Sequence, residues 1–220
     1  MKFLLLEIMK SIAIEKELLS RDDDIDAERA FLLVRDMPYA RASSRDPDTI
    51  IGEWRGTCSG KHYLLKELFT ELGYSSRLIA CTTVSQVDPN KYWGKLRKLL
   101  RQSNGRFVDV HNYLILELPD GEMIVDATWP ISTKGMGTVI NERFVLGENQ
   151  IIAAEPVKSW DVPDDRDAQE FKEEILIDSF STEELQHREE FIKTVSKLTN
   201  SKTIKSLVWL ERLVKGKDPR

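Results

Sequence analysis

The sequence has 220 residues, of which 41% are hydrophobic and 31% charged, and a formal net charge of −5 at pH 7. These values predict one compact domain with its own core, and they exclude general disorder and a collagen-like repeat. The acidic balance argues against nucleic acid as the main partner, two cysteines are too few for a disulfide framework, and no apolar run reaches the roughly 18 residues of a membrane span.

The N-terminal 49 residues predict helices separated by polar breaks. Residues 1–9 are apolar but include Glu7 and lead into a charged stretch, so we expect a first helix rather than a signal peptide. A second helix is expected over about 26–35, with aspartates in its first turn. Residues 37–49 contain two prolines and two serines and predict a loop.

A glycine-rich turn at residues 56–60 contains Cys58 and precedes a helical stripe of leucines and phenylalanine that Gly73 ends. Residues 77–84 then predict a strand that includes Cys81, which we interpret as a buried structural cysteine. A disulfide between the two cysteines is the alternative, and it would consume the Cys58 thiol. Residues 85–106 form a basic insert with some helical character.

Two further strands are expected over 108–118 and 123–129, because the turn sequence at 119–122 is Pro-Asp-Gly-Glu. Short strands are predicted at 144–146 and 151–154.

Helices are expected from residue 164 onward, with a capping box at 181–184. The sequence therefore predicts a single α+β domain over 1–220. We expect a helical N-terminal segment (1–49), a core at about 50–155 and a helical C-terminal extension (164–220).

Cys58 is the residue most suited to chemistry. At the start of a helix, unpaired backbone N–H groups and the helix dipole favour a thiolate, and the same N–H groups can bind an oxyanion. Gly56 and Gly60 would let a substrate backbone approach closely. The alternative is a small apolar residue that packs at the helix start.

His111 and Asp126 lie on the two strands of the predicted hairpin. A pairing centred on 120–121 places Asp126 opposite residue 115, on the same face as His111 but about 13 Å along the strand. A bulge or a strong twist would have to close that gap. Asp126 would then orient the His111 ring toward Cys58.

Three segments carry a family resemblance: Gly56-Thr57-Cys58, His111, and Asp126-Ala127-Thr128-Trp129. Together they resemble the transglutaminase-like superfamily, whose papain-like core packs the cysteine helix on an antiparallel sheet. The resemblance covers about a third of the chain. Tyr113 fits the aromatic residue that members often carry two residues after the histidine, whereas Ser59-Gly60-Lys61 stands where members often carry an acidic residue.

This resemblance implies a Cys58–His111–Asp126 triad that acts on an amide or peptide carbonyl through a thioester. The expected enzyme is an amidase, peptidase or transferase in the cytoplasm, its substrate a peptide, a protein or a small amide. No metal or organic cofactor is required. The alternative is a catalytically inactive member of the same fold that binds a peptide or protein.

Trp54, Thr57 and Trp129 are candidates for oxyanion or substrate binding. The Trp54 indole N–H could face an oxyanion, although such a tryptophan more often packs, and Trp129 is expected to pack beneath the strand of Asp126.

Other constellations compete with the triad. His62 lies one helical turn after Cys58 and is a rival base. The same residues, with His111 and Asp126, allow a zinc site, although the sequence has no Cys-x-x-Cys pair. The aspartates of 161–167 predict a helix cap rather than a metal site.

Two basic segments are either solvent-exposed helix surfaces or functional segments. The insert at 91–106 is either a lid that selects acidic substrates or a solvated helix. The tail at 197–220, with a net charge of +5, would contact RNA or a membrane surface if it binds anything.

Overall fold

A four-stranded antiparallel sheet with helices packed on it forms the frame of the protein, as seen in a computed structural model that describes residues 5–92, 94–135 and 137–200, without the side chains of 198–200. The helices are α1 (Leu5–Glu15), α2 (Ala27–Asp36), α3 (Pro47–Glu53), α4 (Cys58–Glu71), α5 (Gly94–Gln102), α6 (Ala168–Ser179) and α7 (Thr182–Asn200). The strands are β1 (Ser75–Gln86), β2 (Arg106–Leu118), β3 (Gly121–Val125) and β4 (Pro156–Asp161), in the order β3-β2-β1-β4. The α+β prediction is confirmed.

The main core lies between α4 and one face of the sheet. Leu64, Leu68 and Phe69 on α4 are fully buried in one cluster with Val110 and Leu114 of β2. Because side chains alternate along a strand, the other face of β2 carries His111 and Tyr113, and Tyr113 joins a smaller cluster with Ile79 and Cys81 of β1. The cysteine helix α4 is therefore fixed against β2, the strand that carries the histidine.

The N-terminal helices begin and end largely as their local sequence predicts. The Asp26 carboxylate accepts the Arg29 backbone N–H at 2.8 Å and caps α2. The predicted loop at 37–49 is too long by three residues, because Pro47 opens α3, and proline suits a first helical position whose N–H has no intrahelical partner.

The hairpin is shorter and differently registered than predicted. Leu118 pairs with Gly121 and Leu114 with Val125, so the turn is Pro119-Asp120 alone and the pairing is centred before Asp120. The second strand ends at Val125. Continuing this register would place the next residue two positions from His111 rather than four, about 7 Å along the strand. The β2–β3 pairing runs without a register shift, so the hairpin contains no bulge.

The described part of the segment between β3 and β4 is irregular apart from one short 3-10 turn, Ile131–Thr133. The strands predicted at 144–146 and 151–154 are absent from it, and the fourth strand is Pro156–Asp161, beyond the predicted core boundary. Side-chain hydrogen bonds stabilise this loop instead: Asn141 accepts the Ile151 N–H at 3.0 Å and donates to its carbonyl at 2.9 Å.

The C-terminal helices pack beside the sheet and hold the basic insert. The Asp167 carboxylate caps α6, and Ser181 and Glu184 form the predicted capping box. Lys95 and Arg106 of the insert make ion pairs with glutamates of α7, so this segment docks on α7. The basic tail lies mostly outside the described residues. No described helix is long and apolar enough to cross a membrane.

A buried ion pair joins α7 to β2. Arg188 donates to the Asp109 carboxylate at 2.6 Å, and the side chains are 10% and 14% exposed. We expect Arg188→Met to lower the free energy of unfolding by about 3 kcal/mol, because it leaves the Asp109 charge buried without its partner. Urea unfolding measures this.

Arg143→Met is the control for this substitution, because the Arg143 side chain is 78% exposed in its pair with Glu148. It should change the free energy of unfolding by less than about 1 kcal/mol. Equal effects of the two substitutions would show that the Arg188 pair does not hold α7 to the sheet.

Candidate active site

Cys58 is the first residue of α4, with Thr57 as the N-cap. The thiol residue is 3% exposed and is a free cysteine. The two neighbouring glycines serve packing: a Cβ on Gly60 would meet the Ile50 side chain at 2.6 Å, and one on Gly56 would meet Lys61 at 3.1 Å. Gly60 thus lets α3 and α4 approach each other, and Gly56 lets the turn before α4 approach Lys61.

His111 connects Cys58 to Asp126. Its Nε2 lies 2.7 Å from the Asp126 Oδ2, and its ring is near enough to the Cys58 thiol for the two groups to shift each other's pKa. Because Nε2 faces the carboxylate, Nδ1 is the nitrogen left for the sulfur. The structure therefore brings together the three side chains that the sequence singled out, in the order thiol, imidazole, carboxylate.

Asp126 is held in a fixed orientation just beyond the end of β3. Its carboxylate is 2% exposed and accepts backbone N–H groups from Thr128 at 3.0 Å and Ala153 at 2.8 Å. The Asp126 backbone is fixed as well, since its N–H donates to Gln150 at 2.7 Å and its carbonyl accepts from Asn141 at 2.8 Å. The irregular loop thus positions the carboxylate that the hairpin alone would leave short of His111.

The charges of this site favour a thiolate–imidazolium pair. Burial alone would raise the pKa of Cys58, but the nearby Lys172 ammonium and His111 outweigh it and lower that pKa to about 6. Burial also opposes protonation of His111, but the Asp126 carboxylate and the thiol raise the His111 pKa to about 10. Burial likewise works against the ionised Asp126, and the His111 charge still lowers the Asp126 pKa below its usual range.

His62, the rival base, is a positioning residue. Its Nδ1 lies 2.7 Å from the Cys58 carbonyl oxygen, and its Nε2 accepts the Ala127 backbone N–H at 2.9 Å. Both nitrogens are therefore used, and burial lowers the His62 pKa to about 4, so the ring is neutral. His62 ties the start of α4 to the segment that carries Asp126.

Lys172 of α6 is a residue of this site that the sequence analysis missed. It is 2% exposed, and its Nζ lies 3.9 Å from the Cys58 Sγ, 2.8 Å from the Ser59 Oγ and 3.4 Å from the Asn112 Oδ1. Ser59 donates to Asn112 at 2.9 Å, and Asn112 donates to the Ile79 carbonyl at 3.2 Å. A polar network thus joins α4, α6 and the sheet on one side of the sulfur.

The periodicity of buried residues on α6 and β2 could have predicted this network. Lys172 stands three and four residues before Ile175 and Leu176, which are buried on α6, and Asn112 alternates with Val110 and Leu114 on the buried face of β2. A lysine and an asparagine on buried faces require polar partners there.

The three aromatic and hydroxyl candidates have packing or capping positions. Trp54 packs against the main core with the Lys16 ammonium 5.5 Å from its ring centroid. Thr57 is the N-cap of α4, although its side chain makes no capping hydrogen bond. Trp129 stacks on Tyr39, with ring centroids 4.2 Å apart.

The rival metal and disulfide interpretations find no support. Both cysteines are free, and burial raises the Cys81 pKa to about 12. No cluster of three potential metal ligands occurs among the described side chains. Of the predicted acidic run, Asp161 pairs with Arg77, Asp164 pairs with Lys66, and Asp167 caps a helix.

The sulfur is enclosed by the protein. Two cavities lie elsewhere, one of about 190 Å³ between α5 and α7 and one of about 940 Å³ beside α1 and α4. Neither is lined by Cys58, His111 or Asp126.

Comparisons with protein-family models, with curated proteins and with solved structures found no match for this chain.

Proposed function

We propose that this protein is a cysteine-dependent acyl-transfer enzyme with a papain-like, transglutaminase-like core. One observation carries the proposal: the buried Cys58 thiol starts a helix beside the His111 imidazole, whose Nε2 lies 2.7 Å from the buried Asp126 carboxylate. A nucleophile, a base and a group that orients the base are the parts that thiol acyl transfer needs.

The first step is attack of the Cys58 thiolate on an amide or peptide carbonyl carbon. A C–S bond forms, and the negative charge moves to the carbonyl oxygen, where N–H groups of the first turn of α4 can stabilise it. The C–N bond of the amide then breaks. Protonated His111 gives its proton to the leaving amine, while Asp126 holds the ring in one orientation.

The second step releases the acyl group from the sulfur. Neutral His111 takes a proton from a water molecule or an amine, which attacks the thioester carbon and breaks the C–S bond. The thiolate and the protonated imidazole are restored, so no metal or organic cofactor takes part. Water gives hydrolysis, and an amine gives transfer.

The topology supports the papain-like part of the proposal. The helix that begins at Cys58 packs on an antiparallel sheet, the histidine lies on a central strand, and the carboxylate follows the adjacent strand. The same chain order, Cys, His, Asp, is the one that the resemblance implies.

Alkylation of Cys58 by iodoacetamide as a function of pH tests the proposal. In a Cys81→Ser background, we expect the rate to rise with a midpoint of about 6, as the Cys58 pKa requires. In the unaltered protein, peptide mapping at pH 7 should find the label on Cys58 and not on Cys81. Burial slows the reaction but does not shift its midpoint toward acid.

A midpoint at or above the ordinary thiol value of about 8.5 would contradict the proposal. Cys58 would then be an inert residue in a binding module. If the midpoint is low, screening of peptides and small amides in the presence and absence of added amines separates hydrolysis from transfer.

A further inference from the structure

Beyond this proposed chemistry, on which the inference rests, we propose that Lys172 is the anion-binding residue of the catalytic site. It selects acyl groups that carry a carboxylate on the carbon next to the reacting carbonyl. Lys172 belongs to the C-terminal helical extension, outside the segments that carry the family resemblance. Its Nζ nevertheless lies 3.9 Å from the Cys58 Sγ.

Cys58 supplies the only negative charge among the described hydrogen-bond partners of Lys172. Its two nearer partners, the Ser59 hydroxyl and the Asn112 carboxamide oxygen, are neutral. The orientation of Asn112 is fixed, because its Nδ2 donates to the Ile79 carbonyl and its oxygen therefore faces Nζ. The third partner is the Cys58 thiolate, whose Sγ lies 3.9 Å from the Lys172 Nζ.

The other charges around the site already have partners of their own. His111 is paired with Asp126 at 2.7 Å, and Asp109 is paired with Arg188 at 2.6 Å. Asp109 also accepts the Val110 backbone N–H at 2.8 Å. Neither carboxylate is available to take over Lys172 without leaving another buried cation unpaired.

Acylation removes the counter-ion of Lys172. When Sγ forms the C–S bond and the amine leaves with the His111 proton, the thiolate becomes a neutral thioester. Among the hydrogen-bond partners that the structure describes for Lys172, only neutral groups then remain, and the Asp109 carboxylate, whose pKa Lys172 also lowers, is already paired with Arg188. A buried ammonium left in this way is unfavourable. A carboxylate on the carbon next to the carbonyl would lie within reach of Nζ and replace the lost anion, so acyl groups that carry one should react preferentially.

Two alkylating reagents provide the test, because iodoacetate places a carboxylate beside the carbon that Sγ attacks and iodoacetamide places a neutral amide there. Their rate ratio at one pH is independent of the thiolate fraction. In Lys172→Gln, which retains polar contacts but not the charge, we expect this ratio to fall about fivefold or more. That is the effect of one unit charge at about 4 Å even in water. Lys172→Arg should retain most of the ratio.

Lys193→Met is the control, since Lys193 lies on the exposed side of α7, and it should leave the ratio unchanged. If Lys172→Gln is folded by circular dichroism and has the same ratio as the unaltered protein, the inference is wrong and Lys172 is structural. If Lys172→Gln does not fold, Lys172→Arg decides: a ratio reduced to that of a free thiol overturns the inference.

The same experiment distinguishes the two proposals. A low midpoint of Cys58 alkylation with a ratio insensitive to Lys172 contradicts only this inference. An ordinary midpoint in the unaltered protein contradicts the proposed function itself. When substrates are identified, Lys172→Gln should lose more kcat/KM on an acyl group with a carboxylate than on its neutral amide analogue.

Discussion

Replacing His111 with alanine should raise the midpoint of Cys58 alkylation from about 6 toward the ordinary thiol value of about 8.5. The substitution removes the positive charge of His111, which favours the thiolate. Turnover of any amide substrate should fall by a factor of about 10²–10⁴, because the general base and acid are lost.

The alkylation rates are best compared at about pH 5.5. A thiolate of higher pKa is intrinsically more nucleophilic, and near pH 7 this partly offsets its smaller population. At pH 5.5 the difference in population dominates, and we expect a loss of about tenfold or more. The pH profile therefore measures the His111 contribution more directly than a single rate at neutral pH.

His187→Ala is a matched control for His111→Ala. His187 lies on α7 and lines the smaller cavity, away from Cys58. The same substitution there should leave both the midpoint and the rate unchanged. An alkylation profile that His111→Ala does not move would show that the His111 ring does not activate Cys58.

Replacing Asp126 with alanine should lower the free energy of unfolding by about 3–5 kcal/mol, as expected when one partner of a buried ion pair is removed. The substitution removes the carboxylate that pairs with His111 and accepts the Thr128 and Ala153 N–H groups. The alkylation midpoint of Cys58 should also rise, because His111 no longer keeps its proton. Urea unfolding and the alkylation profile measure the two effects.

The contribution of Asp126 has a defined pH dependence. Because its folded pKa lies below the usual range, the stabilisation is complete above the unfolded aspartate value of about 3.9 and is lost as pH falls toward the folded value. The unaltered protein should therefore lose stability more steeply below about pH 4 than Asp126→Asn, which retains the volume of the side chain but cannot ionise.

Asp165→Ala serves as the control for Asp126→Ala, because Asp165 is an exposed aspartate before α6. It should leave stability and the alkylation profile within error of the unaltered protein. If Asp126→Ala is as stable as Asp165→Ala at pH 7, the carboxylate does not hold His111 as an ion pair.

Local sequence was sufficient for most of the helices and strands. The glycine-rich turn and the leucine stripe predicted the start and end of α4, β-forming residues predicted β1, and the turn sequence at 119–122 predicted β2. The hairpin register was wrong by two residues, since a turn sequence of four residues fits more than one loop length. That error made His111 and Asp126 appear twice as far apart along the strand as the observed pairing makes them.

By itself, the sequence determined the residue types and chain order of the candidate site: a cysteine at a helix start, a histidine on a strand, and an aspartate after the next strand. Only the tertiary structure decided that the three side chains meet, that His62 holds the backbone instead of acting as a base, and that Lys172 reaches the sulfur from 114 positions along the chain. The physical reason is the range of the signals. Periodicity and caps report which face of an element is buried, whereas the partners that a buried polar group finds there depend on how distant elements pack.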